Sequence, residues 1–212
     1  MSTLAFEVLG ASVDPYAASP QVALRMRVTA EPGLSVAALV LRAQVRIEPQ
    51  KRRYDGGESE RLRELFDTPD RYAQTLRPLL WTHVAQTVGT FEGATEFELA
   101  IPCSYDFEVA ANKYVAALAA GEIPLVLLFS GTIFLRGEQG FFAQLVPWSC
   151  EASYRLPARL WREAVDAFFP NSAWIRVSRE TFDELVRWKG AGAFPSWDAA
   201  LGKLCDEAKL ER

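Results

Sequence analysis

The sequence predicts an α+β protein: an antiparallel β-sheet or sandwich of about seven or eight strands, short helical insertions, and C-terminal helices packed on it. Three observations carry this. Apolar and polar residues alternate at a period of two through much of residues 4–156. From Pro157 the apolar spacing changes to the helical period. The composition, 50% hydrophobic and 12% aromatic over 212 residues, is enough for one sizeable core. The expected division is a β-rich core at 1–156 and a helical extension at 157–212. They form one continuous unit because no low-complexity linker separates them. A single strongly curved antiparallel sheet, as in export chaperones, is the alternative.

Taken in order, "LAFEVLGA" (4–11) reads as a strand. In "QVALRMRV" (21–28), Val22, Leu24, Met26 and Val28 alternate with Ala23, Arg25 and Arg27. The Pro-Gly pair of "AEPGL" turns the chain. In "SVAALVLRAQVRIEP" (35–49), Ala37, Leu39, Leu41, Ala43, Val45 and Ile47 share one face, and Arg42, Gln44, Arg46 and Glu48 the wet one. Residues 54–78 break the pattern with two short helices. Leu62, Leu65 and Phe66 stand at helical spacing, and Thr68-Pro69 forms a start signal. Strands resume at 79–89 and 95–102. The alanine-rich stretch 109–122 reads as a helix stopped by Gly121. Residues 123–148 form a hairpin of two apolar strands about the turn "RGEQG". Beyond Pro157, Leu160, Trp161, Ala164, Val165 and Phe168 make one helical face. A helix at 178–190 starts at Ser178, buries Phe182, Leu185 and Val186, and ends at Gly190. Another at 195–210 starts at Ser196 and turns Leu201, Leu204, Cys205 and Ala208 inward.

Bulk properties exclude several functions. The net charge of −4 gives no general attraction to nucleic acid or to an anionic membrane, so neither is expected as a partner. Three cysteines, an odd number and none at C-x-x-C spacing, build neither a disulfide framework nor a zinc ribbon. The start "MSTLAFEVLGASVDP" lacks a basic segment and a long apolar run, so a cytoplasmic chain without a signal peptide is expected. "PLVLLFSGTIFL" (124–135) is too short to span a bilayer. "GASVDPYAAS" and the "DGG" at 55–57 lack the glycine and lysine frame of a phosphate loop. With one histidine and scattered cysteines, no metal and no cofactor are expected.

Two groups of residues remain. Arg42, Arg46, Lys51, Arg52 and Arg53 crowd along and beyond one strand as a cationic ridge. Nothing in folding requires them there, and an acidic protein surface is the partner such a ridge suits. The other group is Trp81, His83, Cys103, Tyr105 and Asp106, gathered near strand ends as an alternative ligand or enzyme pocket. His83 is the sole histidine base available. By alternation it shares a face with Trp81, Ala85 and Thr87, and it is expected half-buried against Trp81 with a structural role. Cys103, after Pro102 at a strand end, stands in an exposed place for a nucleophile.

Several blocks carry a resemblance. "LRAQVRIEPQKRRY", "LFDTPDRYAQTLRPLLWTHV", "IPCSYDFEVAANKYVAALAAGEIPLVLLFSGTIF", "VPWSCEASYRLPARLWREAVDAFFPNSAW" and "PSWDAAL" resemble an uncharacterised bacterial family of hypothetical proteins often encoded near nickel–iron uptake hydrogenase genes. The resemblance spans nearly the whole chain and brings no catalytic residue with it. It implies a non-enzymatic accessory protein whose partner is a hydrogenase subunit or maturation factor, by gene association alone.

Overall fold

The structure, a computed structural model, describes residues 4–104, 109–137, 140–172 and 175–210. Nine strands occur among them: β1 (Leu4–Val13), β2 (Gln21–Ala30), β3 (Ser35–Ile47), β4 (Leu79–Val88), β5 (Phe91–Glu92), β6 (Ala94–Pro102), β7 (Glu122–Gly137), β8 (Gly140–Leu145) and β9 (Glu151–Pro157). All pair antiparallel, in two sheets. One has the order β1-β2-β6, and the other β4-β3-β7-β8, with β5 on β3 and β9 on β7. With the helices below, this is the α+β class the periodicity predicts.

The alternation decides how the sheets meet. Val22, Leu24, Met26 and Val28 of β2 are fully buried, as are Leu39, Ala43, Val45 and Ile47 of β3, and all belong to one hydrophobic cluster. Each of the larger of these side chains, Ala43 apart, stabilises the fold by roughly 1.5–3 kcal/mol on leaving water. The sheets therefore pack face to face as a sandwich, with β1 beside β9 and β4 beside β6 along the flanks. The buried face of β3 begins at Val36, not at the predicted Ala37. The pairing with β7 shifts between Val36 and Ala38, and this irregularity resets the phase.

β8 and β9 lie end to end on the side of β7 away from β3. β8 pairs Thr132–Gly137, and β9 pairs Glu122–Leu128. Between them the chain bows outward at Pro147–Ser149. Val146 N donates to Gly131 O and Phe129 N donates to Cys150 O, both at 3.0 Å, and together they pin the base of the bow. Gly131 permits it: its φ is +143°, and a Cβ there would stand 2.1 Å from Val40 O.

The excursion between β3 and β4 holds α1 (Gly56–Arg61), α2 (Arg63–Phe66), a short 3₁₀ turn (Pro69–Arg71) and α3 (Tyr72–Thr75). Asp55 caps α1 by accepting from Glu58 N at 2.7 Å. Leu62 and Phe66 are buried, as their spacing predicts. α4 (Ala110–Ala117) ends earlier than predicted. Leu118 is already extended, and Gly121 (φ +82°) serves the turn into β7 rather than the helix end. Three arginines do the capping instead. Arg61 Nε donates to Ala117 O at 2.7 Å, Arg162 to Leu118 O at 2.7 Å, and Arg52 to Ala120 O at 2.9 Å. Cations suit a helix C-terminus because its last carbonyls lack partners.

The chain divides into two compact units, residues 1–174 and 175–212. α5 (Ala158–Asp166) belongs to the first and packs on β1, β2 and β9 through its predicted face, burying Leu160, Trp161, Ala164 and Val165. The second unit holds α6 (Arg179–Ala191) and α7 (Trp197–Leu210). Ser178 and Ser196 accept from Thr181 N and Ala199 N as the sequence reading expects. The predicted stripe of α6 is not buried: Phe182 and Val186 are 44% exposed, and Leu185 is half-buried. On α7, Leu201 and Leu204 are half-buried while Cys205 and Ala208 are exposed. A pair of helices has too little surface to enclose both apolar stripes, and aromatic pairing takes over. Trp188 stacks on Phe194 at 4.7 Å, and Phe182 meets Trp197 at 5.9 Å.

Candidate interaction surface

The structure separates the residues of the alternative pocket. β4 pairs Thr82 with Val45 and then Leu80 with Arg46, so Trp81 is the extra residue of a bulge. The bulge breaks the alternation between Trp81 and His83. Trp81 packs partly buried against the core, whereas His83 is exposed on the outer face with Ala85 and Thr87, opposite Gln44. The expectation that His83 lies half-buried on Trp81 is thus corrected. Cys103 is corrected too, since it is buried in the core and not exposed. Its thiol donates to Ile101 O at 3.6 Å. Burial pushes its pKa up to about 12, so it is a poor nucleophile near neutral pH. The six-stranded sheet stands between His83 on its outer face and Cys103 in the core on its inner face. Tyr105 and Asp106 lie outside the described residues.

The cationic ridge divides as well. Arg42, Lys51 and Arg53 are exposed. Arg46 is half-buried and pairs with Glu48 at 2.8 Å. Glu48, expected on the wet face, is itself buried and also accepts from Gln50. Arg52 is not a surface residue in function. Its side chain is 12% exposed, pairs with Glu58, donates to Glu122 O and Ala120 O at 2.9 Å, and lies 5.7 Å over the Tyr54 ring. Glu58 in turn accepts from Ala119 N at 2.9 Å. Beside this clamp Tyr54 donates to Pro49 O at 2.7 Å and shares a hydrogen bond with Tyr114 at 2.9 Å. Burial, above all, raises the phenol pKa of both. Arg52 therefore holds the helical excursion against α4 and the start of β7. Run-on spacing in "KRRY" gave no sign that the middle cation turns inward.

An open cleft of 390 Å³ lies beside α1 and α2, with Asp55, Glu60, Arg63 and Asp67 in its wall. Its charged groups are already engaged. Asp55 caps α1, Glu60 faces Arg63 at 3.7 Å, and Asp67 accepts from Thr68 N and from Arg71. Among the described residues, no three His, Cys, Asp or Glu side chains gather as metal ligands.

What the structure does assemble is an outer sheet face. Cross-strand register sets Thr87, Val40, Thr132 and Leu145 in one row across β4, β3, β7 and β8. The next rows hold Ala85, Arg42 and Ser130 on one side, and Ala38, Phe134 and Ala143 on the other. Val40 is 48% exposed, Phe134 37%, Phe141 69% and Leu145 79%. Arg42 has no ion-pair partner among the described residues. The described residues thus present an apolar field bordered by Arg42 and by the exposed Arg136, which lies 5.9 Å over the Phe141 ring. The hairpin was legible in the sequence. The exposure of its second strand was not, because that depends on β8 standing at the sheet edge.

No helix among the described residues is long and apolar enough to cross a membrane. A family model described as a family of unknown function, DUF6084, matches residues 1–212. No curated protein matches the chain. Among solved structures, the chain is similar to AggA, the major subunit of aggregative adherence fimbriae type I from Escherichia coli. The identity is 10%, over 74% of this chain and 94% of that one, at a TM-score of 0.26. A likeness that slight carries no argument.

Proposed function

The chain belongs to DUF6084, a family that hands down no activity, and from that premise we propose that this protein works by binding another protein on the outer face of its six-stranded sheet. The observation that carries this reading is the exposed field of Val40, Phe134, Phe141 and Leu145 bordered by Arg42. Water-exposed aromatic and branched side chains in one patch are stabilised by being covered. Arg42, with the exposed Lys51 and Arg53 further along the strand end, favours an acidic partner surface. The role is that of a non-enzymatic accessory protein in the cytoplasm. The resemblance of the sequence blocks makes a nickel–iron hydrogenase subunit or maturation factor the first partner to try.

The test is direct binding. The tagged protein is incubated with purified hydrogenase subunits and maturation factors, beside Val40→Glu and Arg42→Glu variants. Both substitutions sit on an exposed face and leave the core intact. The reading expects one of these proteins to bind the wild type, to bind both variants at least tenfold more weakly, and to lose the Arg42 effect as salt rises. Equal binding by wild type and variants, or binding by none of the candidates, overturns it.

A further inference from the structure

β8 is an edge strand, paired among the described residues only with β7. Its hydrogen-bonding phase follows from one contact. Val146 N donates to Gly131 O at 3.0 Å, directly beyond the Leu145–Thr132 pair. An antiparallel ladder alternates mutually bonded and non-bonded pairs. Gln144, Phe142 and Gly140 therefore turn their N–H and C=O toward β7, while Leu145, Ala143 and Phe141 turn theirs away from the sheet. Natural edge strands are usually blunted by a charge, a proline or a covering element. "GFFAQL" has neither charge nor proline, and Phe141, Phe142 and Leu145 are 69%, 46% and 79% exposed.

We infer that this edge pairs with the same edge of a second copy. Set antiparallel about a two-fold axis at Ala143, the two strands place Ala143 against Ala143, and Phe141 against Leu145 of the second copy. In each of these pairs both residues have outward-turned N–H and C=O groups, so every pair exchanges two backbone hydrogen bonds. A slip of one residue sets outward groups against inward ones and loses the ladder. Phe141, Ala143 and Leu145 all stand on the outer face, so the two outer faces join into one wider apolar field. No charged side chain of β8 meets its own copy across the axis. Across the axis Phe141 of one copy and Leu145 of the other, 69% and 79% exposed in the single chain, are directly opposed on one face and cover each other's flanks. This pairing does not depend on which protein docks on the face.

The experiment is sedimentation of the full chain across a concentration series, with Ala143→Pro and Leu145→Lys variants. Proline at 143 removes an outward N–H and leaves the bonds to β7 in place. The wild type is expected to pass from monomer to dimer, and each variant to self-associate at least tenfold more weakly while keeping the wild-type circular dichroism. A second measurement fixes the register. In a Cys205→Ser background, Ala143→Cys should oxidise to a linked dimer, because directly opposed bonded residues have Cα atoms about 5.5 Å apart. Gln144→Cys, opposite Phe142 of the second copy, should not. A wild type that stays monomeric throughout overturns the inference, as does a dimer indifferent to both variants. If the monomer binds a hydrogenase protein and Ala143→Pro abolishes that binding, the edge takes a foreign strand, which sinks self-pairing and spares the docking role.

Discussion

Removing the Arg52 side chain should cost this fold a large share of its stability, although Arg52 sits in a run of cations that looks like a solvated strand end. The substitution Arg52→Ala leaves the Glu58 carboxylate, 4% exposed, with Ala119 N and no cation. It also strips the donor from Ala120 O and Glu122 O. Breaking a buried ion pair from one side costs about 3–5 kcal/mol because the surviving charge stays in a poorly solvating place. Total stabilities are about 5–15 kcal/mol. With a urea slope of about 2 kcal/mol/M, a loss of about 3–5 kcal/mol lowers the unfolding midpoint by about 1.5–2.5 M. Arg53→Ala is the control: Arg53 is exposed, and its loss should stay within about 0.5 kcal/mol. Arg52 Nε finds no acceptor among the described residues, so the clamp is imperfectly satisfied. The double variant Arg52→Met with Glu58→Leu should therefore recover much of the loss, since a buried pair is often replaceable by apolar side chains. The assay is urea denaturation followed by tryptophan fluorescence. Equal midpoints for Arg52→Ala and Arg53→Ala would refute the clamp and return Arg52 to the surface ridge.

Four further outcomes are expected. Gly131→Ala should lower stability by about 3 kcal/mol or more, from strain at a positive φ and from the clash with Val40 O; a thermal melt within two degrees of wild type contradicts the geometry. Under native conditions at pH 8, iodoacetamide should modify the exposed Cys205 alone, with the buried Cys103 and Cys150 reacting only after unfolding; mass spectrometry that finds Cys103 labelled as fast as Cys205 rejects its burial. Folding holds the Cys103 proton to a pKa of about 12 against 9.0 for the free thiol, so below the free value its contribution to stability is fully present. As pH rises from there toward 12 the unfolded chain sheds that proton first and stability falls; the raised Tyr54 and Tyr114 phenols act in the same direction, and a flat alkaline stability curve counts against all three. Finally, fragment 1–174 should melt cooperatively, whereas fragment 1–156, which lacks α5 and the Trp161 and Val165 side chains covering β1 and β2, should aggregate; a soluble, cooperatively melting 1–156 shows α5 to be dispensable.

The elements were legible in the sequence because their signals are local. Alternation in 21–28 and 35–47 marks β2 and β3, since side chains of a strand point to opposite faces whatever it pairs with. The face of α5 follows from helical spacing in the same way, and Ser178 and Ser196 announce helix starts through their own side chains. A bulge is less local. Trp81 and Ala37 each shift the phase by one residue, and the cause lies in the partner strand, so alternation assigned Trp81 and His83 to one face when they stand on two. The least legible features are those set by what lies opposite. Arg52 reads like Arg53 until α1 and α4 meet around it, because a buried cation is decided by the carboxylate and carbonyls that distant segments bring. The same holds for "GFFAQL". Its residues would suit the middle of a sheet, and only the strand order, which leaves β8 at the edge with β9 taking the rest of that side of β7, turns an ordinary apolar strand into an exposed one.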